Sequence, residues 1–323
     1  MEKFILIVLC LSASLLYSGD LLERGNHFYE EGMYDSSAHY YRKAANTGDR
    51  TAVAWFNLGN SKYHIRNKPG AVAAYRASVR EAPEFFRARF NLGTLYYELG
   101  DLSKAVSHLK TSLSLKPGNR RVLVYLAAAY RELEAYHLAI PMAERAVQAR
   151  SGENSDLYFM LYGMNRDIGD YSEAVYWMER YPDTGSRVSE KYSLLGAASE
   201  RMDEPNKAMN HYRRVLRMEP GNTQAGYSLV RIMFEQGHTI NAFMRAEEML
   251  MDSPDFGQLA LLAGNHTFKE GYYRKSAWFY LKASEAGLRG GYSGLNNAIS
   301  MLREAGNTQL AQRYSEKLLG IRE

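Results

Sequence analysis

Between residues 89 and 99, Leu92, Leu95, Tyr96 and Leu99 recur at intervals of three and four, the spacing of one face of an α-helix. Gly100-Asp101 interrupts the pattern, as glycine does beyond a helix C-terminus. A second periodic stretch, residues 103–115, sets Ala105, Leu109 and Ser112 on one face, with Ser103 as its expected N-cap. Pro117-Gly118-Asn119 closes it. The predicted unit is two amphipathic helices joined by a tight turn. The small residues, Gly93 in the first helix and Ala105 in the second, let the pair approach closely, and larger side chains fill the space beside them.

The unit recurs. Trp55-Phe56-Asn57-Leu58-Gly59 aligns with Arg89-Phe90-Asn91-Leu92-Gly93, 34 residues on. Counting from Leu58-Gly59 reaches Ala71, Tyr75 and Pro83. The same counts from Leu92-Gly93 reach Ala105, Leu109 and Pro117, and from Leu195-Gly196 they reach Ala208, Tyr212 and Pro220. This resembles the tetratricopeptide repeat (TPR), whose pattern is W-x2-L-G-x2-Y, then A-x3-F, then P. The frame gives eight units, 18–51, 52–85, 86–119, 120–153, 155–188, 189–222, 223–256 and 257–290, with a degenerate ninth unit or capping helices over 291–323. Ala127 and Tyr162 stand where the pattern has Gly, Pro205 falls in an inter-helix turn, and Gly226 stands where Trp is expected. The Gly290–Gly294 run reads as a linker between units.

The resemblance implies an all-α protein: a right-handed α-solenoid of stacked antiparallel helix pairs, the TPR superhelix, in which each pair buries its apolar face against its neighbours. Tyr41, Tyr75, Tyr212 and Tyr280 then fall at a second-helix position that packs inside the repeat. The resemblance also implies that first helices line a concave groove, through the second, fifth, ninth, twelfth and thirteenth positions of each unit. Those positions supply the candidate partner-binding residues: Tyr29, Phe56, Asn60, Tyr63, Phe90 and Tyr97 in an aromatic zone, Arg131, Phe159 and Arg166 in a charged middle, and Tyr227, Phe234 and Phe268 beyond it. Phe56 with Phe90, and Tyr63 with Tyr97, would form a ladder of rigid anchors. The alternative places several of these aromatics between adjacent repeats. Asn57 and Asn91 are expected to satisfy backbone groups. A clamp for a C-terminal carboxylate, found in some TPR domains, needs lysine at a fifth position. Here those positions hold Leu22, Phe56, Phe90, Val124, Phe159, Ser193, Tyr227 and Leu261, so that clamp is excluded.

Composition changes the picture little. The chain has 323 residues, 46% hydrophobic and 24% charged, with a net charge of +4, ordinary for a globular protein and too weakly basic to mark a nucleic-acid binder. The amino terminus adds more. Lys3 followed by the apolar run Phe4–Leu16 and then Ser18-Gly19 reads as a signal peptide over residues 1–18, shorter than a bilayer span needs. Cleavage is expected after Ser18, with Ser14 the other site. A lipoprotein anchor on Cys10, the single cysteine, would need a small residue where Leu9 stands. The expected location is therefore exported, periplasmic or outer-envelope associated, with no membrane span in the mature chain. No pair of histidines sits at i, i+4, and no phosphate-binding loop is present. No catalytic set, metal site or cofactor is expected. Arg213, Arg214 and Arg217 share one helix, as a solvated face or as a site for acidic partners. The expected function is a non-enzymatic scaffold or adaptor that binds a linear peptide or helix of a partner protein in the groove. The alternative is a periplasmic transport accessory holding a small apolar or lipidic ligand in an aromatic-lined cavity. The partner's identity and self-association stay open.

Overall fold

The computed structural model describes residues 21–48, 51–149 and 153–322. The segment read as a signal peptide, with Cys10, lies outside them. Among the described residues there is no strand. The helices are α1 (residues 21–30), α2 (Tyr34–Asn46), α3 (Thr51–His64), α4 (Lys68–Glu81), α5 (Phe86–Glu98), α6 (Leu102–Leu115), α7 (Arg120–Glu132), α8 (Tyr136–Gln148), α9 (Ser155–Asp167), α10 (Tyr171–Glu179), α11 (Val188–Arg201), α12 (Pro205–Met218), α13 (Thr223–Glu235), α14 (Thr239–Asp252), α15 (Gly257–Lys269), α16 (Tyr273–Glu285), α17 (Arg289–Glu304) and α18 (Thr308–Arg322). Odd-numbered helices open a repeat and even-numbered helices close it. Contacts divide the chain into two compact units, one ending at Met164 and one beginning at Asn165, so the boundary falls inside α9.

The repeat is written most plainly in the backbone. Each opening helix ends on a residue of positive φ: Gly32, Arg66, Gly100, Glu134, Gly169, Asp203, Gly237, Gly271 and Gly306. Such a left-handed residue lets the chain reverse while its neighbours satisfy the last carbonyls. In the third repeat Gly100 N–H donates to Tyr97 O at 3.0 Å and Asp101 N–H to Tyr96 O at 3.0 Å. The carboxylate of Asp101 then accepts from Lys104 N–H at 3.2 Å and caps α6. The helix thus begins at Leu102, and Asp101 takes the capping place expected of Ser103. Pro205 stands at the start of α12, where its missing N–H costs nothing. The turn at Gly306 shows that residues 289–322 are a ninth helix pair on the same plan.

Within a pair, a glycine of the opening helix receives a large side chain of the closing helix. A Cβ on Gly59 would lie 2.5 Å from the Tyr75 ring, one on Gly196 2.7 Å from Tyr212, and one on Gly93 2.9 Å from Leu109. Tyr41, Tyr75, Tyr212 and Tyr280 are all buried, as expected. The Gly290–Gly294 run is not a linker: it forms the first turns of α17. A Cβ on Gly291 would lie 2.6 Å from the Ser284 backbone nitrogen, and one on Gly294 would enter the Tyr280 ring. Glycine is used there for close approach, and Tyr280 is gripped by Gly264 and Gly294 together.

Repeat five departs from its neighbours. Its closing helix, α10, is only nine residues long, and Pro182 follows it. The missing turn is replaced by Lys191 of α11, which is 4% exposed. Its Nζ donates to Tyr181 O at 2.6 Å and to Asp183 Oδ1 at 2.6 Å, placing a cation on the open carbonyls of a helix C-terminus.

Candidate functional site

Four consecutive opening helices contribute to one open cleft in the amino-terminal unit. Tyr29 comes from α1, Asn60, Tyr63 and His64 from α3, Asn91, Thr94 and Glu98 from α5, and Arg121 and Tyr125 from α7; the volume is about 380 Å³. The 34-residue repeat puts equivalent side chains in register along it. Tyr63 Oη donates to Glu98 Oε1 at 2.8 Å, and Glu98 also pairs with Lys68 at 3.2 Å. Tyr97 Oη makes the same bond one repeat on, to Glu132. Burial and the Glu132 bond push the Tyr97 hydroxyl up to about 12, and the Glu98 bond, with burial, raises that of Tyr63. These tyrosines stay neutral donors at any physiological pH. Arg121 is exposed, with its guanidinium 4.9 Å above the Phe90 ring. It has no carboxylate partner among the described residues.

The floor of the cleft is a polar ladder. Tyr75 Oη donates to Asn60 Oδ1 at 2.7 Å, and Asn91 Nδ2 reaches the same oxygen at 3.2 Å. One repeat earlier, Tyr41 Oη donates to Asn26 Oδ1 at 2.8 Å and Asn57 Nδ2 approaches it at 3.4 Å. Asn57 and Asn91 therefore serve the side chain of the preceding repeat, not the backbone groups expected.

The candidate residues divide accordingly. The cleft gathers Tyr29, Asn60 and Tyr63, with Tyr97 on the neighbouring repeat. Asn60 is already committed to Tyr75. Phe56 and Phe90 are buried, at 9% and 5% exposure, and do not form an exposed ladder. Phe56 packs against Phe85 at 5.2 Å, and Phe90 lies edge-on to Tyr125 at 5.8 Å; each fifth-position ring is wedged by its neighbours in the array. Phe234 is also buried, stacked on His266 at 4.5 Å. Phe268 is half-buried against Tyr273 at 5.4 Å, and Tyr227 is half-buried beside Phe256. Arg131 is exposed at the end of α7, Phe159 is half-buried in α9, and Arg166 is exposed and pairs with Asp167 at 2.7 Å. None of these lines the cleft. Sequence reasoning missed Tyr125, which sits at the sixth position of its repeat, outside the five expected to face the groove. It also set Asn91 aside as structural, though Asn91 both supports the ladder and faces the opening.

Among the described residues no group of three His, Cys, Asp or Glu side chains is placed to hold a metal ion. Nor is any helix among them long and apolar enough to cross a membrane.

Residues 22–84, 56–120 and 90–154 each match the family described as tetratricopeptide repeat. A TPR repeat-containing protein of Methanocaldococcus jannaschii is 28% identical over 64 residues, which are 20% of this chain and 11% of that protein's length. Among solved structures, the chain is similar to MamA, residues 41 to the end, from Desulfovibrio magneticus RS-1, with 19% identity, a TM-score of 0.47, and coverage of 54% of this chain and 97% of that one. It is also similar to Pseudomonas aeruginosa pilF, with 16% identity, a TM-score of 0.47, and coverage of 65% and 95%.

Proposed function

We propose that the chain, whose residues 22–154 match the tetratricopeptide repeat family, is a non-enzymatic adaptor that captures an extended acidic segment of a partner protein in the cleft between Tyr29 and Tyr125. The observation that carries this is Arg121. It is an exposed guanidinium, held over an aromatic ring, without a carboxylate of its own, at the mouth of a cleft whose other wall is polar. Guanidinium suits a carboxylate through paired, planar hydrogen bonds. The hydroxyls of Tyr29 and Tyr125 and the amide of Asn91 offer partners to a peptide backbone, and rigid tyrosines bury area at small entropic cost. A lipidic ligand fits less well, because Asn60, Asn91, Thr94, Glu98 and Arg121 would leave polar groups against acyl chain. The location proposed is the cell envelope, on the apolar run Phe4–Leu16.

Peptides selected from a random display library against the full chain test the reading. The expected consensus carries an acidic residue, and Arg121→Ala weakens its binding by about tenfold or more, the worth of a charge-assisted hydrogen bond. The melting temperature stays unchanged, because the side chain is exposed. Selected peptides that bind Arg121→Ala as tightly as the wild type would overturn it.

A further inference from the structure

Repeats five to seven contain an internal control, since equivalent positions lie 34 residues apart on the same backbone plan. Between α10, α11 and α12 is a cleft of about 430 Å³ in which Lys191 and Asp183 are closed on each other. Asp183 accepts from Lys191 Nζ at 2.6 Å and from Tyr192 Oη at 2.9 Å. Arg214 lies 4.7 Å over the Tyr192 ring, which fills the space.

One repeat on, between α12, α13 and α14, the equivalent cleft is about 720 Å³. Gly226 stands where Tyr192 stood, so the filling ring is gone. Arg213 and Arg217 replace Glu179 and Asp183, and Arg245 replaces His211. The floor is apolar, made by Leu216, Leu229 and Met233. Arg245 pairs with Glu248 at 2.5 Å, and Arg213 is held by the neutral Asn210 at 3.2 Å. Arg217 is exposed, with no hydrogen-bond or ion-pair partner among the described residues. With Arg214 on the shared wall, four guanidiniums face one paired carboxylate.

We propose that this second cleft, on the closing helices, is a docking site for an acidic protein segment that also carries an apolar side chain. Carboxylates would bridge Arg213 and Arg217, and the apolar side chain would sit on Leu216, Leu229 and Met233. Uncompensated like charges around a concavity raise the local concentration of an oppositely charged partner and its rate of encounter. The apolar floor supplies what a purely solvated basic face lacks. Its recessed shape favours an inserted side chain over a flat lipid surface. The site is separate from the Arg121 cleft and does not depend on it.

A fluorescent peptide of repeated Glu-Leu-Glu-Glu-Leu, titrated with the full-length protein and read by anisotropy, tests the proposal. Binding should weaken as salt rises. Measured in an Arg121→Ala background, where the first cleft no longer contributes, it should fall on the order of a hundredfold in Arg213→Glu/Arg217→Glu and several-fold in Arg217→Ala. Replacing the peptide's leucines with serine should also reduce affinity. A melting curve confirms that each variant is folded; Arg217→Ala keeps the test open if the double variant is not. Unchanged affinity in folded Arg217→Ala, in that same Arg121→Ala background, overturns the assignment. Binding to phosphatidylglycerol vesicles without binding to the peptide overturns it in favour of a membrane surface.

Discussion

A tyrosine of the closing helix is buried in the same place in the second repeat and the sixth, yet its hydroxyl is answered in two different ways. Tyr75 donates to Asn60, a neutral amide that also takes a bond from Asn91 of the next repeat. In the sixth repeat Ala197 occupies the position of Asn60, and Tyr212 instead reaches one turn further, to Glu200 Oε1 at 2.6 Å. Glu200 in turn pairs with Arg231 of the seventh repeat, whose other nitrogen meets Glu235 at 2.8 Å. Both arrangements tie a repeat to its successor through a tyrosine. The first does so without charge, the second through a half-buried ion pair. The backbone therefore requires only that the hydroxyl be satisfied, and these two repeats have met that need with different residues.

Substitution can separate the two. The largest effect is expected from Glu200→Ala, which takes the Glu200 partner from the buried Tyr212 hydroxyl and leaves the Arg231 guanidinium only Glu235. It should cost about 1.5–3 kcal/mol, read as the shift in a urea unfolding midpoint. Asn60→Ala should cost less, about 0.5–1.5 kcal/mol, because the lost bonds are between neutral groups. If Asn60→Ala proves the more damaging, the ladder is stronger than the ion-paired network and the ordering is wrong. The smallest effect is at alkaline pH. Burial raises the Tyr75 and Tyr212 hydroxyls well above the ordinary value of 10.0, and Glu200 raises Tyr212 further through its hydrogen bond and charge. A raised folded value means that this stability is complete below pH 10 and is lost as pH climbs toward the raised value. Glu200→Gln should reduce the alkaline loss contributed by Tyr212, and Tyr75→Phe that contributed by Tyr75. Unfolding measured at successive pH values checks both, and identical alkaline limbs in wild type and Glu200→Gln would remove the carboxylate from the account.

Much of this was legible in the sequence, because the helix-pair frame depends on spacing alone. Leu58-Gly59 and Leu92-Gly93 locate the glycines that receive Tyr75 and Leu109, and the same frame places Tyr41, Tyr212 and Tyr280 in the core. Counting 34 from Gly32 and Gly100 also lands on Arg66 and Glu134, so the left-handed turns there were available to the same count, though neither residue type advertises positive φ. Other features depended on neighbours that periodicity does not identify. Phe56 and Phe90 occupy groove positions by spacing, but the rings of Phe85 and Tyr125 decide that they are buried. Glycine-rich composition suggested a linker at 290–294, and only the position of the Tyr280 ring shows why a helix there needs glycine. The candidate cleft was half legible. Tyr29, Asn60, Tyr63 and Arg121, at the second position of its unit, came from the frame, whereas Tyr125 emerged only when four helices were set side by side.

Lys191 gives the molecule a chemical clock. An amine-reactive reagent labels solvent-facing lysines at once, but the Lys191 ammonium is enclosed by Tyr181, Asp183 and the end of α10 and can react only when that junction opens. The rate at which one peptide gains the label's mass then times a single local opening, at one address.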